Sequence, residues 1–317
     1  MAFNLSDKVA EFLEENIEQK FTARQIAEWI YKSYPEECEE KKKRSNATVI
    51  PINNTNALIQ QLVAEIGSHR PQMEKKFLQL RTTESRPRKY YFTEKTDEAE
   101  IKTAEFVVEI KNSPEPQKTG EHALYPMLAE FLQSEFNIYS KRINEKRSSN
   151  NRGSGGNKWL YPDVVGMENL SEDWNREIKD CVKQYADKKT KLWSFEVKIL
   201  VNRSNIREVF FQTVSNSSWA NFAYLVASEI EGSDTIKEMR ILSGLHGIGF
   251  ILLNTENPAE SEIIIPARER IEIDWGTTNR LAEENKDFLE YIKLIRQFYQ
   301  TGDVPASGWD TIQQFES

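Results

Sequence analysis

The sequence predicts a two-part α/β protein: a helix-rich N-terminal part closed by a β-hairpin, then a mixed β-sheet flanked by helices. Three observations carry this. A length of 317 residues exceeds one domain of roughly 100–200, and 38% hydrophobic content lets each of two parts bury its own core. Apolar residues recur at helical spacing in the first third of the chain, then give way to short strand-like runs. The stretch Glu94–Thr119 mixes charges with Pro114 and Pro116 and reads as the break between the parts. The expected division is an N-terminal domain over 1–95, a linker over 96–119 and a C-terminal domain over 120–317.

In the N-terminal part, Ser6 is placed to cap a helix carrying Val9, Phe12, Leu13 and Ile17 on one side. Thr22 is placed to cap a second with Ile26, Trp29 and Ile30. Glu36–Arg44 reads as a charged insertion, after which Asn54 or Thr55 opens a third helix with Leu58, Leu62, Val63 and Ile66. Phe77-Leu-Gln-Leu80 and Lys89-Tyr-Tyr-Phe92 then read as two strands around the polar turn Thr82–Pro87. Three helices followed by a hairpin is the layout of a winged helix-turn-helix. Phe21-Thr-Ala-Arg-Gln-Ile-Ala-Glu-Trp-Ile30 resembles the second helix, and Arg86-Pro-Arg-Lys-Tyr-Tyr-Phe92 the wing, of the HARE-type winged-helix modules attached to restriction and chromatin proteins. The resemblance covers about Leu5–Thr93. His69–Lys95 carries eight Lys and Arg against three Glu, an excess suited to phosphate contacts, with Arg81, Arg86, Arg88 and Lys89 as the expected DNA-binding residues. The alternative is a winged helix that contacts protein.

In the C-terminal part, a helix is expected over Glu121–Phe131, a short strand at Asn137–Ser140, and strands at Trp159–Gly166 and Lys191–Val201. A long helical region over Asn205–Ile230 follows, then strands at Gly249–Leu253 and Glu262–Pro266 and a final helix over Thr278–Tyr299. This order suggests a central mixed sheet covered by helices. Between the first two strands, Lys141–Lys158 carries Lys141, Arg142, Lys146, Arg147, Arg152 and Lys158 against Glu145 alone. It reads as an exposed basic loop able to grip a phosphate backbone, or as a solvated linker.

Composition removes many chemistries. With 42 Lys+Arg and 50 Asp+Glu the net charge is −8, so a nucleic-acid surface has to be a local patch. Cys38 and Cys181 are the two cysteines, far apart, so neither a disulfide framework nor a thiolate zinc site is expected, and the compartment is expected to be reducing. His69, His122 and His246 are too few and too scattered for a multi-histidine zinc site. Phosphate-binding P-loop and dinucleotide fingerprints are absent from the sequence. No apolar run approaches a membrane span and the N-terminus lacks the pattern of a signal peptide, so a cytoplasmic protein is expected. Metal chemistry here has to use carboxylates.

Pro162-Asp163 and Glu196-Val-Lys198 supply them. Two carboxylates at the ends of adjacent strands can bind one Mg²⁺ while leaving positions for water and a phosphate oxygen. A neighbouring lysine can orient or help deprotonate the attacking water and offset charge building on phosphorus. The string [DE]xK recurs by chance in so charged a chain. Of its occurrences after the single Pro-Asp pair, however, only Glu196-Val-Lys198 lies within an apolar strand, where alternation puts Glu196 and Lys198 on one face. The bland alternatives are a structural ion-pair network for the two acids and a solvated strand-end lysine.

With these residues, roughly Gly120–Arg268 resembles the PD-(D/E)XK nuclease superfamily, whose fold is restriction-endonuclease-like. The resemblance implies that Asp163 and Glu196 are ligands of Mg²⁺, with Mn²⁺ as a substitute, that Lys198 is the catalytic lysine, and that Glu121 is an auxiliary acid. Gln212 falls where some relatives carry a functional glutamine, but Asn216 stands where their tyrosine would follow. The implied function is Mg²⁺-dependent DNA endonuclease in restriction or phage defence, with a methyltransferase as partner and a homodimer for double-strand cleavage. The competing readings are a DNA-binding regulator with an inactive nuclease fold, and a protein-interaction module.

Overall fold

The computed structural model describes residues 4–44, 55–106, 120–149, 157, 159–184 and 189–310. They fall into two compact units, Met1–Thr96 with Glu231–Ser233, and Asp97–Ile230 with Asp234–Ser317.

The first unit contains α1 (Leu5–Glu15), β1 (Phe21–Thr22), α2 (Ala23–Ser33), α3 (Pro35–Arg44), α4 (Thr55–Lys76), β2 (Leu80–Thr82) and β3 (Lys89–Phe92). Its three strands form an antiparallel sheet in the order β1-β3-β2. The helical stripes meet in one core, where Val9, Leu13, Ile26, Ile30, Leu58, Leu62 and Ile66 are buried with Leu80 and Tyr90 of the sheet. Thr22 caps α2 reciprocally: its hydroxyl accepts the Gln25 N–H, and Gln25 Oε1 accepts the Thr22 N–H at 2.8 Å.

Three local expectations are corrected. α1 begins at Leu5 beneath Asn4, one residue before Ser6. Glu36–Arg44 is helical rather than an insertion: Pro35 starts α3, Cys38 is buried in the core, and glutamates precede lysines by one turn. The hairpin starts later than Phe77, whose N–H still bonds to Met73 O at 2.8 Å, so pairing begins at Leu80 opposite Phe92. Asn54 lies outside the described residues.

The second unit contains α5 (Asp97–Phe106), α6 (Glu121–Phe136), β4 (Ile138–Arg142), β5 (Val164–Asn169), α7 (Arg176–Gln184), β6 (Thr190–Val201), α8 (Ile206–Ser215), β7 (Phe222–Ile230), α9 (Ser233–His246), β8 (Gly249–Leu252), β9 (Glu262–Ile265), α10 (Trp275–Glu284) and α11 (Lys286–Thr301). The expected linker thus begins with helix α5, and its residues 107–119 lie outside the described ones. The strands form one six-stranded mixed sheet in the order β4-β5-β6-β7-β8-β9. The pairs β4–β5, β5–β6 and β8–β9 are antiparallel, while β6–β7 and β7–β8 are parallel. Alternation sorts the side chains. Val164, Phe195, Val197, Val226 and Ile251 pack with Leu128 and Leu132 of α6, while residues of opposite parity pack with α8 and α9 or with α10 and α11.

The region Asn205–Ile230 is not one helix. α8 stops at Ser215, Asn216–Asn221 turns, and Phe222–Ile230 is β7, parallel to both β6 and β8. A strand buried on both faces has no polar alternation, so its apolar run imitates a buried helix. Trp159–Gly166 is strand only from Val164, leaving Pro162-Asp163 just ahead of β5. The final helix is broken at Asn285, whose side-chain oxygen accepts the N–H groups of Asp287 and Phe288 and starts α11. Helix α9 was absent from the expected order. Among the described residues no helix is long and apolar enough to cross a membrane.

Candidate active site

β6 is the longest strand of the central sheet and lies between β5 and β7, so its middle is buried. Glu196 sits there with no exposed surface. The β5–β6 register pairs Val164 with Phe195, which puts Asp163 opposite Glu196 at the edge of the ladder. Asp163 is fixed to that position because its Oδ2 accepts the Val197 N–H at 2.8 Å. Tyr125, on α6, donates to Asp163 Oδ1 at 3.4 Å.

Lys198 follows Glu196 by two and shares its face. Its Nζ lies 2.8 Å from Glu196 Oε1, 3.3 Å from Glu121 Oε1 and 3.9 Å from Asp163 Oδ2, and donates to Val197 O at 3.1 Å. One ammonium thus stands among three carboxylates, and the four residues expected to carry chemistry come together. The surroundings shift their protonation. Burial, then the neighbouring Asp163, pushes the Glu196 carboxyl up to about 8. Burial also raises Glu121. For Lys198 burial works against the charge, but the three acids prevail and hold the ammonium well above the usual lysine range.

Two contacts to Glu196 come from the end of α8 and its C-capping residue. Gln212 Nε2 donates to Oε1 at 2.5 Å, and Asn216 Nδ2 donates to Oε2 at 2.8 Å. Gln212 lies in the last turn of α8 and Asn216 caps it, its N–H bonding back to Gln212 O at 3.0 Å, so the two stand one turn apart at the same helix end. Each carboxamide turns its nitrogen to the carboxylate and leaves its own oxygen buried without a partner. A buried unsatisfied acceptor costs about 1–3 kcal/mol, so holding Glu196 takes precedence over satisfying both amides. In the sequence Gln212 stands where some members of the resembled superfamily carry a functional glutamine, and Asn216 departs from their pattern. Their spacing in a helix after the strand was the signal available.

A second cluster borders the first. At the end of β4, Arg142 Nη2 lies 3.0 Å from His122 Nδ1, and the guanidinium carbon is 5.0 Å from the centroid of the Tyr125 ring. Burial, then Arg142, lowers the His122 pKa below the ordinary histidine value.

The other expected DNA-binding residues are dispersed. Arg147 pairs with the buried Asp287 of α11. Lys141 bonds to Gly308 O at 3.1 Å and lies 3.5 Å from Glu290. Lys146 is exposed, and Arg152 lies outside the described residues, as does Lys158. In the first unit Arg88 is held by Glu84 at 2.8 Å and by Thr83 O at 3.2 Å, and Arg81 donates to Leu78 O at 2.8 Å. Arg86 is exposed beside the hairpin and Lys89 half-buried on β3.

Set against known proteins, the chain matches no family model, no curated protein and no solved structure.

Proposed function

We propose that the protein is a divalent-cation-dependent endonuclease that hydrolyses DNA phosphodiester bonds at the Asp163–Glu196–Lys198 cluster. One observation carries the reading: the Lys198 ammonium lies within 4 Å of carboxylate oxygens of Asp163, Glu196 and Glu121. Structural ion pairs seldom crowd three acids onto one cation in a strand interior, because each buried charge needs its own compensation. Burial favours the protonated forms of Glu196 and Glu121, and a divalent cation would stabilise their ionised forms beside Asp163. The donors are hard oxygens, which fits Mg²⁺ or Mn²⁺. Asp163 and Glu196 would hold the ion.

A bound Mg²⁺ would supply Lewis-acid polarisation of a phosphoryl oxygen and a water of lowered pKa. The chain's own residues do the rest. The Val197 N–H and Tyr125 hydroxyl orient Asp163, and Gln212 and Asn216 orient Glu196. Lys198 is held protonated, so it acts as a donor and a positive charge toward the phosphoryl group; it can take a proton only after the acids around it are neutralised. The strand arrangement, three antiparallel strands followed by a parallel one across an intervening helix, supports a restriction-endonuclease-like fold for the second unit. The β1-β3-β2 sheet behind a helical core supports a winged helix-turn-helix for the first, with target binding as its role.

The test is incubation of supercoiled plasmid with the purified chain and Mg²⁺ or Mn²⁺, beside Asp163→Ala and Lys198→Ala. Nicking or linearisation by the wild type and its loss in both variants is the expected result. Cleavage that survives both substitutions would overturn the assignment.

A further inference from the structure

Among the described residues, the Arg142 guanidinium has no carboxylate within ion-pair distance, although it borders a cluster of three acids. It is held instead by neutral groups: His122 lies on one of its nitrogens at 3.0 Å, and the Tyr125 face lies 5.0 Å from its central carbon. The backbone beneath is pinned as well, since the Arg142 N–H donates to Asp310 Oδ2 at 2.5 Å. A cation–ring contact and one hydrogen bond hold the guanidinium while leaving most of its five N–H donors unused. The neighbouring acid, Asp310, takes the backbone N–H and only partly offsets the charge, so the guanidinium donors stay available to something outside the chain. The adjoining imidazole offers a further donor or acceptor.

We propose that Arg142, presented by Tyr125 and His122, is a subsite for a backbone phosphate of the nucleic acid. The anion takes the unused N–H groups in forked fashion, as guanidinium and phosphate geometries match. Tyr125 links the two clusters, with its hydroxyl on Asp163 Oδ1 and its ring under Arg142, so a phosphate held by Arg142 is placed at a set distance from the acids. The subsite thereby sets register along the strand. The inference rests on the nuclease reading for its substrate, but binding can be measured without cutting.

The experiment is titration of a fluorescein-labelled DNA duplex with the full chain, with Ca²⁺ in place of Mg²⁺, over a range of salt concentrations. The proteins are wild type, Arg142→Ala, Arg142→Lys and His122→Ala, each checked for an unchanged melting profile. Arg142→Ala is expected to weaken binding about 10-fold and to lower the slope of log affinity against log salt by about one. Arg142→Lys should restore the slope but only part of the affinity, because an ammonium lacks the planar fork. His122→Ala should weaken binding less than Arg142→Ala while keeping the slope. An Arg142→Ala protein that binds with unchanged affinity and slope overturns the subsite, as does a wild type that does not bind duplex. If the wild type binds in this Arg142-dependent way yet cuts no plasmid with Mg²⁺, the subsite stands and the nuclease reading falls.

Discussion

Gln212 donates to Glu196 Oε1 at 2.5 Å, from the face of α8 onto the middle of β6, where the carboxylate has no contact with solvent. Gln212→Ala removes that donor from a buried acceptor. Chemical denaturation should show a loss of about 1–3 kcal/mol, and Asn216→Ala should behave alike. The double variant should lose less than the sum of the two, since both act on one carboxylate. Strict additivity would mean that the amides do not share Glu196 as their common partner.

Divalent cations should stabilise the wild type. A cation at 100 times its dissociation constant contributes about 2.7 kcal/mol to the native state, readable as a rise in melting temperature that EDTA reverses. Asp163→Ala and Glu196→Ala should show no such rise. A full rise in both variants would place the ion elsewhere.

Asn285 joins α10 to α11 and caps the second helix through Asp287 and Phe288, while its amide donates to Asn144 O at 3.0 Å. Asn285→Ala removes the cap and leaves the Asn144 carbonyl without this donor, for an expected cost of about 2 kcal/mol by urea unfolding. Asn285→Asp keeps the cap and should recover part of the loss.

Glu168 on β5 accepts the Trp193 indole N–H at 3.0 Å, and burial raises its carboxyl pKa above the ordinary value. A raised folded pKa favours the protonated form in the native state. The wild type therefore loses stability as pH rises from the unfolded value through the folded one, and the penalty stays constant above it. Glu168→Gln carries no such penalty, so the difference between wild type and variant should shift in favour of the variant over that window and be flat outside it. Melting temperatures across acid to neutral pH would reveal the opposite trend if Glu168 were instead held ionised.

Gly249 begins β8 where a Cβ would lie 2.3 Å from Tyr224 Cε1 and 2.7 Å from the Ala267 backbone nitrogen. Gly249→Ala forces one of them to move, and the expected destabilisation is about 1–3 kcal/mol, measured by denaturation.

How far the sequence could be read depended on periodicity. β6 and its Glu196-Val-Lys198 were legible because two-residue alternation fixes which side chains share a face, and Thr22 was legible as a cap because caps are local, although the returning Gln25 contact was not. β7 was not, since a strand covered on both sides carries no alternation, and Phe222 and Tyr224 therefore read as a continuation of α8. The break at Asn285 was missed because the apolar stripe continues across it. Within the site, Asp163, Glu196 and Lys198 were legible from strand context, whereas Glu121, at the start of helix α6, was reached only through the family resemblance. The clamp of Gln212 and Asn216 and the pairing of Arg142 with His122 depend on which helix packs on which strand, and no spacing along the chain encodes that.

The opening of α6 carries Glu121, His122 and Tyr125 within five residues, directed to Lys198, Arg142 and Asp163. The remainder of the helix is anchored through Leu128 and Leu132 in the core beneath the sheet. A slight rotation of this rod would thus retune an acid, an imidazole and a phenol in concert. Substitutions at its distant buried end should reach the Asp163–Lys198 cluster without touching it, making α6 a lever by which evolution could adjust that cluster from behind.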